Sequence, residues 1–234
     1  QRVNDPSIAE KLIPKDHGFG TRRVPMETGY YEVFNQDNVE LIDIGENPIE
    51  YITESGVQTK DKHHTFDIII YATGFDAVTG AFDKINIVGE NEQTLRDKWA
   101  DGPQTHFGLS VNGFPNMLTL AGLQSGSVAT NFPRGIEEAV NWCSKMLEHL
   151  FDNEIQYFNP RKEAEIFWGD QVREMSERIL FGKEQSWFTG YNSNVERNYR
   201  HKCLIYAGGQ IRFRKFLTDE VSNGYPGFIM HKKQ

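Results

Sequence analysis

Cysteine is nearly absent from the chain: Cys143 and Cys203 stand far apart among 234 residues, with no C-x-x-C spacing. That excludes a disulfide scaffold and a cysteine-built zinc site, and it points to reduced thiols in the cytoplasm. Long apolar runs are missing as well, so no segment reads as a membrane helix, which needs about 20 such residues. Basic blocks are missing too: 25 Lys and Arg face 33 Asp and Glu, a formal charge of −8. Neither nucleic acid nor a membrane is therefore expected as a partner. There is no internal repeat, no low-complexity tract and no G-x-G-x-x-G dinucleotide fingerprint. The opening Gln1-Arg2-Val3-Asn4-Asp5-Pro6 has the pattern of neither a signal peptide nor a natural start, and reads as the interior of a longer protein.

What is present is 38% hydrophobic residues, with 12% aromatics, enough for one large or two small globular domains. The most apolar stretch runs from Phe66 to Asp76. Ile68-Ile69-Ile70-Tyr71-Ala72 lacks the alternation of a half-solvated strand, so it predicts a strand buried on both faces of a parallel sheet and stopped by Thr73-Gly74. Ligands of open α/β sheets sit beyond the carboxyl ends of such strands, which makes Thr73, Gly74, Phe75 and Asp76 the first place to look for a cofactor.

Asp5-Pro6 suits the cap and first position of a short helix through Leu12. The glycine-punctuated loop Lys15–Pro25 carries the adjacent Arg22 and Arg23, which are either solvated or aimed at a phosphate or a developing anion. Strands are expected at Val39–Ile42, Ile49–Thr53 and Val57–Thr59, a meander feeding the apolar strand. His63-His64 lacks further ligands at metal spacing and reads as exposed at a strand edge; no metal is expected. Met117–Gly122 predicts a second short strand, followed by a Gly/Ser loop and then a helix from Pro133, with Thr130, Asn131 or Phe132 on the cap side. Ile136, Ala139, Val140, Cys143, Met146, Leu147 and Leu150 recur at helical spacing. A second amphipathic helix follows Pro160, with Ala164, Phe167, Trp168, Val172, Met175 and Ile179 on one face. Gln185–Asn194 is a polar loop displaying aromatics, Leu204–Gly209 a last short strand, and Phe213–Val221 a terminal helix stopped by Asn223-Gly224.

Seven motifs in order carry a resemblance: Phe19–Pro25, Gly29–Asn35, Asp37-Asn38-Val39, Ala72–Gly80, Trp99 with Gly102-Pro103, Gly113–Asn116, and Gln185-Ser186-Trp187. Together they resemble the C-terminal half of Baeyer–Villiger monooxygenases, the class B flavoproteins that convert ketones to esters or lactones, and the likeness covers nearly the whole chain. The resemblance implies an α/β fold, part of a flavoprotein with two Rossmann-like dinucleotide domains. Residues 1–72 would end the NADPH-binding domain, and residues 73–234 would form the C-terminal part of the FAD-binding domain.

It also implies FAD and NADP as cofactors, and a small ketone with O2 as substrates. Arg23 falls on the family's catalytic arginine, which steadies the C4a-peroxide of the flavin and the oxyanion formed from the ketone. Arg22 stands where the family has a lysine on the NADPH 2′-phosphate; charge is kept, but a fork replaces a compact donor. Asn131 and Phe132 match backbone against the flavin pyrimidine ring, and Trp187 matches an aromatic of a loop that closes over the nicotinamide. Ser127, Val128, Ala129 and Thr130 match a loop beside the substrate. Gly18 and Leu123 stand where relatives commonly have proline, which loosens both loops. Both phosphate-binding loops would precede Gln1, in a missing N-terminal half of the same protein. The other readings are a related class B N- or S-oxygenase, and a folded piece that does not turn over.

Overall fold

The computed structural model describes residues 2–22, 24–76, 79–126, 131–180, 186–192 and 203–232. Contacts divide the chain into two compact units, one of Gln1–Phe19 with Arg23–Phe75 and the other of Gly20–Arg22 with Asp76–Gln234.

The first unit opens with α1 (Pro6–Lys11), capped as the sequence predicts: Asp5 accepts the Ser7 N–H, and Pro6 takes an early position where a missing N–H costs nothing. Arg2 pairs with Glu27 and Glu32 and lies over the Tyr31 ring. A three-stranded antiparallel meander follows, β1 (Ile49–Thr53), β2 (Gly56–Thr59) and β3 (His63–Thr65), in the order β1-β2-β3. Gly56 sits where a Cβ would fall 1.8 Å from the His64 carbonyl oxygen, so the turn into β2 admits only glycine.

Several expectations fail here and in the second unit. Val39–Ile42 is not a strand. His64 is buried, with Nε2 3.4 Å from Thr59 Oγ1, while His63 meets Thr53 Oγ1 at 2.8 Å; alternation along β3 sends the two rings to opposite faces. The Ile68–Ala72 run is not a buried parallel strand: none of it pairs in a sheet, and Ile68 and Ile70 are 79% and 86% exposed. Its composition asks for neighbours on two edges and two faces, and none of the described residues supplies them. Met117–Gly122 is a turn region rather than a strand, with Ala121 at φ +54°.

The second unit holds both clusters of buried apolar side chains. Helix α2 (Leu95–Lys98) buries Leu95 beside Trp99, Val111, Phe114 and Leu123. Helix α3 (Phe132–Asp152) buries Ala139, Trp142, Cys143, Met146 and Leu150, as its spacing predicts, whereas Val140 and Leu147 lie on the exposed flank. Helix α4 (Lys162–Glu177) buries Trp168, Val172 and Met175, and α5 (Gln210–Ser222) buries Phe213 and Leu217. The sequence reading missed a hairpin: β4 (Ile155–Pro160) pairs antiparallel with β5 (Phe228–Lys232), Phe158 opposite Met230. Leu204–Gly209 is not a regular strand, although Leu204 and Tyr206 make strand-like bonds described below. Both cysteines are free and buried, and burial pushes the Cys143 thiol up to about 11.

Lys98 and Glu165 form a buried ion pair. Lys98 Nζ donates to Glu165 Oε2 at 2.9 Å, and the Asn112 N–H donates to Oε1 at 2.9 Å. Burial raises the Glu165 pKa, and the lysine bond opposes that shift. A carboxyl whose folded pKa is raised loses stability as pH climbs through that value, and losing the lysine raises it further. Lys98→Met should therefore destabilise the unit by about 3 kcal/mol at pH 8, and by clearly less at pH 5, where a proton neutralises the orphaned carboxylate; urea unfolding at both values checks this.

Candidate functional site

The segments flanking the predicted loops are held by one run of backbone bonds. Ser186 and Thr189 form a reciprocal capping box that closes the turn Trp187–Thr189. Leu204 N–H donates to the Phe188 carbonyl at 2.8 Å, Gln124 N–H to the Leu204 carbonyl at 2.7 Å, and Tyr206 N–H to the Ser125 carbonyl at 3.3 Å. The aromatic turn, the 203–206 segment and the 122–126 segment are thereby tied side by side. Trp187 is 40% exposed and stacks on Phe188 with ring centroids 4.4 Å apart. Asn192 Nδ2 donates to Asp76 Oδ1 at 3.4 Å, joining the far end of this turn to the residue after Phe75.

Gln124 is the hub that sequence reasoning missed. It is buried at φ +66°, a left-handed conformation unusual for its type. Its Oε1 accepts from Thr105 N at 3.2 Å and Thr105 Oγ1 at 2.9 Å, and its Nε2 donates to the Pro103 carbonyl at 3.2 Å. Its own carbonyl accepts the indole N–H of Trp168 at 3.1 Å. Neither hydropathy nor spacing marks such a residue; a buried tryptophan in need of an acceptor was the only signal.

The predicted site residues fall as follows. Asn131 caps α3, its side chain accepting the Arg134 N–H at 3.3 Å, and Phe132 is exposed beside it. Arg22 is exposed next to the buried Thr21 in the second unit. Thr73, Gly74 and Phe75 belong to the first unit and are all exposed, Phe75 by 95%. Gly74 has φ +82°, with nothing within 4 Å of where a Cβ would stand. Arg23, Ser127, Val128, Ala129 and Thr130 lie outside the described residues. Among the described residues no group of three or more His, Cys, Asp or Glu could hold a metal, and no helix is long and apolar enough to cross a membrane.

No protein-family model matches the chain. Individual proteins do. The 2-oxo-Delta(3)-4,5,5-trimethylcyclopentenylacetyl-CoA monooxygenase of Pseudomonas putida is 42% identical over 228 residues, 97% of this chain and 42% of the relative. A Baeyer–Villiger monooxygenase of Pseudooceanicola batsensis is 34% identical over 98% of this chain and 41% of its own length. The crystal structure of OTEMO in complex with FAD and NADP superposes with TM-score 0.90 at 43% identity, over 99% of this chain and 42% of that one. Along nearly its whole length this chain is similar to part of these monooxygenases. It spans well under half the length of the relatives it matches. Its mixed helix-and-sheet architecture is part of the flavoprotein fold of this family. The cap of α3 can be tested on its own. Asn131→Ala should cost about 1 kcal/mol of stability and Asn131→Asp almost nothing; paired thermal melts followed by circular dichroism test this.

Proposed function

We propose that this chain is the C-terminal half of an FAD- and NADPH-dependent monooxygenase that converts small ketones to esters or lactones with O2. The observation that carries the reading is that likeness to such monooxygenases runs along nearly the whole chain, at 42% identity. In this reading residues 1–72 close the NADPH-binding domain and 73–234 belong to the FAD-binding domain; a division of contacts between Phe75 and Asp76 supports a boundary there. The remainder of the same protein would bring the phosphate-binding loops, since no G-x-G-x-x-G occurs in this sequence. The whole would work in the cytoplasm, in keeping with two free thiols.

Each unit offers features suited to a flat ring: in the first, open space over Gly74 and the exposed Phe75 allow close backbone approach and stacking, and in the second, the half-exposed Trp187 offers a stacking face. Thr73, Gly74, Phe75, Asn131 and Phe132 would hold FAD, and Arg22 and Trp187 would hold NADP. Bound FAD, reduced by NADPH, would supply the oxygen-activating chemistry. Arg23 is a charged donor for the negative charge that develops on the ketone oxygen, where a fixed guanidinium lowers the barrier. Arg22 offers a forked donor to a phosphate. Ser127, Val128, Ala129 and Thr130 would shape the choice of ketone. Trp187 would exclude water when its turn closes.

In the full-length protein that carries this chain, Arg23→Ala should abolish ester formation from ketones, by at least about 100-fold, while the flavin absorbance of the purified protein is kept. Ester formation at the parent rate would remove Arg23 from the chemistry, and oxidation of amines or sulfides in place of ketones would replace the reading with the related oxygenase.

A further inference from the structure

Helices α3 and α5 face each other across a seam that their side chains do not close, and a gap of about 140 Å³ remains between them. An ion pair bounds it: Arg214 Nε on α5 donates to Glu138 Oε2 on α3 at 3.0 Å. The deepest lining is apolar, made by Trp142 and Leu217, 4% and 3% exposed, and by the half-buried Val221. Lys145 lines the gap two turns along α3 from Glu138, and Thr218 and Ser222 line it from α5, one turn apart. Facing stripes of two packed helices normally interdigitate; here polar side chains at the rim leave the apolar floor open.

This lining is rich in donors and poor in acceptors. The indole N–H of Trp142 is buried with no partner among the described residues. The other buried indoles do not share that state, since Trp99 and Trp168 each donate to a backbone carbonyl, at 3.0 and 3.1 Å. A buried donor left unpaired forfeits the hydrogen bond it made with water. Glu138 is committed to Arg214, whereas Lys145 makes no ion pair among the described residues. The charge left facing the gap is therefore that of one ammonium, standing one helical turn from the orphaned indole.

We propose that the seam between α3 and α5 binds a small carboxylic acid as its anion. The two carboxylate oxygens supply the acceptors that Lys145 and the Trp142 indole lack, with the hydroxyls of Thr218 and Ser222 as further donors, and a short alkyl tail lies against Leu217 and Val221. Size sets the limit on the tail: a cavity of roughly 150 Å³ holds a benzene-sized guest, about six non-hydrogen atoms. Butyrate has that size. A neutral apolar guest would leave the ammonium and the indole unmatched, and inorganic phosphate would leave the apolar floor bare. The inference does not depend on the FAD and NADP reading above.

The test is a titration of the ¹⁵N-labelled chain with sodium butyrate at constant ionic strength, read at the indole N–H resonances. The Trp142 resonance is assigned by its loss in Trp142→Phe. It should move along a saturating curve, half-complete at about 1–10 mM, while those of Trp99 and Trp168 stay in place. Lys145→Met, a change at an exposed position, should raise the half-saturation point at least about fivefold. Butyramide, which keeps the shape and loses the charge, should leave the resonance unmoved, as should inorganic phosphate. An unmoved resonance, a shift that grows without saturating, an unchanged curve in Lys145→Met, or equal saturation by butyramide or phosphate overturns the site. Should Trp142→Phe fail to fold, the backbone amides of Thr218 and Ser222, assigned in the parent, carry the same reading.

Discussion

The second unit depends on where one indole proton goes. Trp168 is fully buried among Phe107, Tyr206, Phe213 and Phe216, and a buried indole N–H without an acceptor would forfeit much of what the ring gains by burial. Its acceptor is the Gln124 carbonyl, presented inward only because that residue takes a left-handed conformation. The conformation costs about 1 kcal/mol or more for a side chain of this kind. Three side-chain bonds to Thr105 and Pro103, and a backbone bond to Leu204, offset that cost. A helix, a turn and two irregular segments are thus fixed by the requirement that a single donor be satisfied.

Helices were legible in the sequence because burial writes itself at a period of 3.6 along one chain segment. For α3, α4 and α5 the expected faces are largely the buried ones, and the caps at Asp5 and Asn131 follow from local chemistry. Pairing between distant segments was not legible. Strand β4 carries Asn159-Pro160 and meets a partner at the far end of the chain, so nothing local reveals the register. Gln124 was missed for a related reason, since a polar residue becomes informative only when its surroundings are known. The run from Ile68 to Ala72 misled in the opposite direction. Its composition describes an environment, and the described residues do not contain that environment.

The candidate site divides along the same line. Residues predicted from local chemistry, such as the Asn131 cap, stand as expected, whereas roles that came through family resemblance concern groups facing a ligand. The two units also differ in what holds them. Both apolar clusters belong to the second, while the first relies on short strands, an aromatic group of Tyr30, Tyr31 and Phe34, and exposed ion pairs such as those of Arg2. Exposed pairs of that kind contribute little in water.

The bare stretch between Phe66 and Phe75 has a consequence for the chain as a physical object. A β-prone, isoleucine-rich sequence, uncharged from Ile68 to Phe75 and paired in no sheet, is a template on which like segments stack into fibrillar sheets. In a crowded cell such a surface is a degradation signal and a chaperone ligand until something covers it. Covering Ile68 and Ile70 would therefore also shield the chain against clumping.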